Sequence, residues 1–467
     1  MRLFPITFIL LAIIFVPSPS AAQEQGQIYT LGGDDCDNSP TSFCDPAIAL
    51  ASLESGDTLV IQPGIYQERL VIDGLHGTAE APITIRGTST VDVVFDGGCV
   101  EFPCILDEAT WGADWGLAGF IQVDDSSHLI ISDLTAQNIV AEGIHVANSS
   151  HITIDTTNVN GTGNAGIIVL YSDNISVRDN TITFAQQGYF LTRGGEPQIP
   201  AHETLSIVGT KTFEVSGNTL RYSLKEGIDV KENASDGRVL RNRLTYMCAV
   251  GIYINEAFDI DVRENEIRWS GYLDEDISCD QHPVYGPSMA AFIGNGILLA
   301  TGDLGELSQG QLADVRLVQN IIAHAHGNCI VTWDELRASG DGEGSMSGIQ
   351  IVNNTLYACG LAGIRLQDID SAFVANNIIA LATEETITGN TIENSTITHN
   401  LFWLRETYHT PYGEAVLTGN PRFVDAASGD FRLQDDSPAI DAGMDIGLPW
   451  QGAAPDIGAA ETGPGGD

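Results

Sequence analysis

The stretch FEVSGNTLRYSLKEGIDV, residues 213–230, holds one complete period of a repeat. Its first half, FEVSGNTL, alternates apolar and variable residues and breaks at Gly217–Asn218. Its last residues, GIDV, alternate again behind a glycine. Period-two alternation over short runs, with glycine and asparagine at the corners, is the signature of strands separated by tight turns.

The same two motifs recur along the chain. The first appears as ISVRDNTI (175–182), GRVLRNRL (237–244), IDVRENEI (260–267), VRLVQNII (315–322), IQIVNNTL (349–356), AFVANNII (372–379) and STITHNLF (395–402). It aligns Asn180, Asn218, Asn242, Asn265, Asn320, Asn354, Asn377 and Asn400, with steps of 23 or 24 where no loop intervenes. Asp133 and Thr157 extend the series backwards in the asparagine position. The second motif appears as GIHV (143–146), GIIV (166–169), GYFL (188–191), GIYI (251–254), GILL (296–299) and GIRL (363–366). Strands this short bury nothing alone, but coils stacked at about 4.8 Å place like residues over like. In-register asparagines then hydrogen-bond along the stack. The expected fold is an all-β, single-domain parallel β-helix over 57–403. A cap over 23–56 precedes it, with a short helix in 45–57 hiding the open edge. A C-terminal coil, cap and tail over 404–467 follows.

Composition bounds the function. The net charge is −42 and only three lysines occur in 467 residues, at 211, 225 and 231. Nucleic acid is excluded as a partner, because phosphates need a basic face. Residues 1–22 read as a secretory signal: Arg2, an apolar run, then small residues at Ser20–Ala22. No later stretch is apolar enough to span a bilayer. Eight cysteines fit an oxidising compartment, with pairs expected at 36–44, 99–104, 248–279 and 329–359. A secreted monomer is the expectation.

The pattern resembles right-handed parallel β-helix proteins of the pectate-lyase-like superfamily, and that resemblance implies an extracellular polysaccharide as the partner. GDTLVIQPGIY (56–66) is similar to that superfamily's usual first coil, and GNPRFVDAASGDFRLQDDSPAIDAG (419–443) with PDIGAAE (455–461) to a C-terminal segment of many secreted bacterial members. Within it, Glu226 and Lys231 resemble the calcium-binding glutamate and lysine base, five residues apart, of polysaccharide lyase family 6. Leu224 stands where that family has a second glutamate, and its catalytic arginine falls near Glu256. GIDVK also resembles the G-x-D-P-H strand of mannuronan C5-epimerases, with Asp229 at the aspartate and Lys231 at the histidine.

In GIDVKE, Ile228 and Val230 are expected to point inward and Asp229 and Lys231 outward. Stacking then collects Glu226, Asp229, Lys231, Tyr253, Asn255, Glu256 and Arg193 on one face, with Glu142 and His145 below. The chemistry this suits is β-elimination on a uronate polymer, which removes the proton beside a carboxylate and expels the glycosidic oxygen. Lys231 is the expected base, aided by Lys225 or Arg193, provided its pKa is lowered. Ca2+ is expected on Glu226, Asp229 and Glu256, which are hard oxygen ligands. Tyr253, Asn255, His145 and Trp333 are the expected substrate contacts. His202 and Glu203, in the segment PAHETLSI, form a second candidate site. A uronate epimerase, a hydrolase using Asp229 with Glu226 or Glu256, and a non-catalytic carbohydrate-binding or cell-surface protein are the alternatives.

Overall fold

The structure is a computed structural model, and it describes residues 26–33, 36–100, 118–187, 192–193, 196–197, 202–281, 294–302, 309–340, 342–390, 392–404 and 412–462. The expected signal segment 1–22 lies outside these residues. Each repeat forms one coil of three strands, and like strands of successive coils pair in parallel. Lys211–Ser216, Thr219–Ser223 and Ile228–Lys231 make one such coil. Among the described residues this builds three long sheets of 15, 13 and 11 strands. They are called here the first, second and third, in the order each coil visits them.

The core is the inward column of each sheet. In the third sheet, Ile121, Ile144, Ile167, Leu205, Ile228, Ile252, Ile297, Ile330 and Ile364 lie in one register, coil upon coil. All are fully buried, and each such burial stabilises the fold by about 1.5–3 kcal/mol. The glycine leading these strands has a steric cause. A Cβ at Gly227 would stand 2.5 Å from Leu244 Cδ2 and 2.6 Å from the Gly251 carbonyl oxygen.

The corner between first and second sheets carries the asparagines. Asn242 Oδ1 accepts from the Asn218 backbone N–H at 3.0 Å and from Asn218 Nδ2 at 2.9 Å. Asn242 Nδ2 donates in turn to Asn265 Oδ1 at 3.0 Å. The chain of bonds runs from Asn180 to Asn400. The residue before each asparagine is left-handed, from Asp179 (φ 55°) to His399 (φ 50°), which aims the next side chain into the corner. Thr157 is in the series, giving its backbone N–H and hydroxyl to Asn180 Oδ1. Asp133 is not: it is the left-handed residue (φ 56°), and buried Leu134 occupies the corner.

The N-terminal helix is shorter than expected, Pro46–Ala51, because Asp45 caps it and Ser52 ends it. Disulfides 36–44, 248–279 and 329–359 form as expected. Cys99 is disulfide-bonded, and Cys104 lies outside the described residues. The C-terminal segment adds to the last coil and then leaves it. After Leu417–Thr418 joins the second sheet, the chain turns back along the outside of the helix. Its antiparallel pair, Phe423–Asp425 with Asp430–Leu433, packs Phe423, Phe431 and Leu433 onto Ala323, Ile378, Ala380 and Leu401. The last of these are outward residues that the solenoid leaves apolar.

Candidate active site

On the third sheet, Asp229 and Lys231 point outward as the alternation requires, while Ile228 and Val230 fill the core. Their lower neighbour corrects the sequence reading. It is Leu205–Val208, with Ser206 opposite Asp229 and Val208 opposite Lys231. GYFL (188–191), expected there, lies outside the described residues. The segment PAHETLSI therefore supplies a strand, and His202 and Glu203, just before it, enter the site. Two coils below Leu205–Val208 lies Glu142–Ala147, whose His145 faces outward in register with Ile168.

Glu203 is the centre of the cluster. Its Oε1 lies 2.9 Å from Lys225 Nζ and its Oε2 lies 2.6 Å from Lys231 Nζ. Ser206 Oγ donates to Oε2 at 3.0 Å and receives the Glu203 backbone N–H at 2.9 Å. Lys231 Nζ is also 2.8 Å from Asp229 Oδ2, and Lys225 Nζ is 3.9 Å from Glu226 Oε2. Two of the chain's three lysines thus meet one carboxylate, with two more carboxylates beside them. The lysines keep a tenth of their side-chain surface exposed, and Asp229 1%. Both Asp229 oxygens are buried, with the Lys231 ammonium beside Oδ2.

Electrostatics sorts these groups. Burial opposes charge on Glu203, but Lys225 and Lys231 override it and hold its carboxyl well below the usual range. Burial pushes Asp229 well above the usual range, and the neighbouring Glu203 charge adds to this. Glu226 is raised for the same first reason, against the pull of Lys225. Burial would lower Lys231, yet Asp229 and Glu203 raise it, and Lys225 is likewise raised by Glu203 and Glu226. Both lysines are therefore ammonium ions. A lysine base would need the opposite shift.

A second buried group adjoins the first. His145 Nδ1 is 2.6 Å from Glu142 Oε2, and Asn164 Nδ2 donates to Glu142 Oε1 at 3.2 Å. His202 Nε2 stands 4.0 Å from the same Oε1, with its backbone fixed by Asn164 and Gln186. Burial brings His202 down to about 4, with the Lys231 and Lys225 charges acting the same way and Glu203 against them. It is neutral at neutral pH. His145 is thus engaged with Glu142 before any ligand arrives.

The remaining expected residues divide. Tyr253 lies directly above Asp229, and its hydroxyl donates to Glu335 Oε1 at 2.8 Å. Glu335, at the start of the helix Glu335–Ser339, was not anticipated. Asn255 is buried at the end of the same strand. Trp333 is half-buried against the apolar group of Leu224, Tyr253, Leu298 and Val331. Of Arg193 only the backbone is described, in an antiparallel pairing with Glu196. Glu256 does not join the carboxylates. Its oxygens accept the backbone N–H groups of Gly302, Gln309 and Gly310 at 3.1–3.2 Å. Calcium does not fit the expected set, since Glu256 is spent on backbone and ammonium groups already face Glu226 and Asp229. Among the described residues no three His, Cys, Asp or Glu side chains converge as a metal-binding group.

Residues 119–303 match the family model described as right handed beta helix region. The chain is 25% identical to the uncharacterized protein YwoF of Bacillus subtilis (strain 168), over 92% of this chain and 98% of that protein. Similar solved structures include pectate lyase Pel9A (13% identity, TM-score 0.49, 94% of this chain and 97% of that one). An alginate lyase from Paenibacillus sp. str. FPU-7 has 14% identity and TM-score 0.48, over 73% of this chain and 99% of that one. Parallel coils, asparagine corner and matched region agree: the chain folds as a right-handed parallel β-helix.

Proposed function

We propose that the chain is a secreted enzyme acting on a uronic-acid-containing polysaccharide by β-elimination at the Glu203–Lys225–Asp229–Lys231 cluster. The observation that carries this is the convergence of two lysines on one outward-facing carboxylate. Nothing in the coil's core needs that arrangement, and a buried ion cluster is a poor way to stabilise a fold. Three disulfides and the absence, among the described residues, of any helix able to cross a membrane support an oxidising, extracellular setting.

The roles follow from the charges. Lys225 and Lys231 remain ammonium ions and receive the substrate carboxylate, whose negative charge grows as the adjacent carbon loses its proton. That carboxylate competes with Glu203 for the lysines. Released from them, Glu203 loses what held its pKa down and becomes basic enough to accept the proton. The electron pair left on carbon forms the new double bond, and the glycosidic carbon–oxygen bond breaks. Asp229, which holds its proton longest, donates it to the departing oxygen. Proton return from Glu203 to Asp229 resets the site.

Hydrolysis is the second reading, favoured by the pairing of a raised carboxyl, Asp229, with a firmly ionised one, Glu203. Alginate, pectate and chondroitin incubated with the protein separate the two. Elimination gives the ultraviolet absorbance of a conjugated double bond, whereas hydrolysis gives reducing ends without it. Lys231→Ala is expected to lower turnover by at least 100-fold. Wild-type protein inert on all three polymers sinks the proposal and leaves a binding role.

A further inference from the structure

Away from the cluster, at the outer end of the second sheet, three aromatic rings stack on consecutive coils. Phe184 lies over Tyr222 with centroids 5.0 Å apart and planes 9° apart, and Tyr222 lies over Tyr246 at 5.2 Å and 8°. All three occupy the same corner and are left-handed, with φ of 53°, 59° and 63°. Phe184 remains 48% exposed. The stack ends downward for an identifiable reason: strand pairing puts Asn160 under Thr183, so Gly161 occupies the next corner below Phe184. A Cβ there would meet only Asn138 atoms, at 3.8 and 3.9 Å. The rung below the ring is empty of side chain, between Phe184 above and Asn138 beneath.

That gap spans two strand spacings, about 9–10 Å. One ring placed in it continues the stack at the spacing the protein's own rings keep. Its roof is an aromatic face. Its other sides are polar: Asn160 Oδ1, which accepts from Thr183 Oγ1 at 2.8 Å, and Asn138, whose amide is fixed to Asp96 at 3.0 Å beside Gln137 at 2.8 Å. A ligand that fits carries an apolar face and a rim of hydroxyl groups, which is the chemistry of a pyranose. We infer that the corner at Gly161, roofed by Phe184 and floored by Asn138, binds one pyranose ring of a polysaccharide. The site lies on a different sheet from the lysine cluster, so its occupancy does not depend on the catalytic reading.

Gly161 gives a clean test. Its φ is 70°, which asparagine tolerates, and Asn138 already holds the equivalent corner one coil below at φ 53°. Gly161→Asn therefore plugs the slot with the side chain that the left-handed region disfavours least. Phe184→Leu removes its roof, and Tyr246→Leu, two rungs away in the same stack, leaves the slot intact. Electrophoresis through gels containing alginate, pectate, chondroitin or a neutral glucan measures the affinity of each. At least one polymer is expected to retard the wild type, with a tenfold or greater weakening in Gly161→Asn and Phe184→Leu and less than twofold in Tyr246→Leu. No retardation of wild type by any polymer overturns the inference, as does equal weakening in all three variants. Turnover without retardation overturns this site while leaving the lysine cluster standing. Retardation without turnover does the reverse.

Discussion

His202 shows how one buried side chain reports on the whole cluster. Its pKa falls to about 4 because it is buried, against about 6.5 in an unfolded chain. Between those values the unfolded state binds more protons, so this residue makes stability fall as pH drops from 6.5 to 4. The full effect is on the order of 3 kcal/mol. Glu203, held low by the lysines, acts in the same sense at lower pH: its stabilisation is present above about 4.3 and is lost as pH falls through its folded pKa. Asp229, Glu226 and Glu142 are raised and act oppositely, favouring the fold at low pH and losing that contribution as pH rises through their folded values. The charged and titratable groups facing His202 are Glu142, Glu203, Lys225, Lys231 and His145. His202→Gln keeps the size and removes only the histidine's share. Melting temperature measured from pH 6.5 to 4 should fall less steeply in the variant, and parallel curves would contradict the assigned burial. The sequence set Glu203 apart with His202 as a second site and hid its place between the lysines. Its segment follows a glycine-led quartet, GYFL, that mimics the strand. The spacing to the next corner asparagine held the missing signal: Ile167 precedes Asn180 by 13 residues and Leu205 precedes Asn218 by 13, whereas Tyr189 is 29 away.

At the scale of the element, the asparagine corner is legible because each coil repeats it and because its chemistry is local. The chain of amides satisfies buried backbone groups that a turn leaves open. Asn242→Ala removes the acceptor for the Asn218 N–H and Nδ2 and the donors to Val215 O and Asn265 Oδ1. Leaving such buried groups unpaired costs about 1–3 kcal/mol each, so a loss of about 2–5 kcal/mol is expected after relaxation. Asp173, exposed and bonded to the Asn174 amide, is the control, with Asp173→Ala expected within about 0.5 kcal/mol of wild type. Urea midpoints of the two variants check this, and equal midpoints would mean the corner is held by its strands alone. Vertical contacts are less legible than the corner. Glu256 falls out of phase with outward Tyr253 and Asn255, and it lies just past the end of its strand with φ 49°. The turn redirects its carboxylate onto backbone amides, and no period-two reading anticipates a left-handed residue there.

Over the whole molecule, the outward face of the second sheet is the feature composition alone conceals. A solenoid exposed on all sides would show polar residues outward. Here Ala323, Ile378, Ala380 and Leu401 face out and are apolar, and the returning C-terminal segment covers them with Phe423, Phe431, Leu433, Ala439 and Ile457. The same segment supplies acceptors for two outer amides, Asp456 O for Asn353 Nδ2 and Met444 O for Asn376 Nδ2, each at 2.9 Å. The coils themselves are complete by Leu401–Trp403. A chain stopped after residue 404 should therefore keep its β-helix, with a far-ultraviolet spectrum close to wild type. It should also expose a contiguous apolar strip of the kind that drives association. The truncated chain remains strongly acidic, and charge repulsion opposes contact between copies, but repulsion is screened within about 10 Å at 0.1 M salt. Burial of the strip acts at contact and prevails there. Light scattering on the truncated protein should show oligomers that grow with added salt, whereas Phe431→Asp in the full chain should reproduce the effect more weakly. A truncated protein that stays monomeric at high salt would show that the C-terminal segment is an appendage to the solenoid rather than its outer wall.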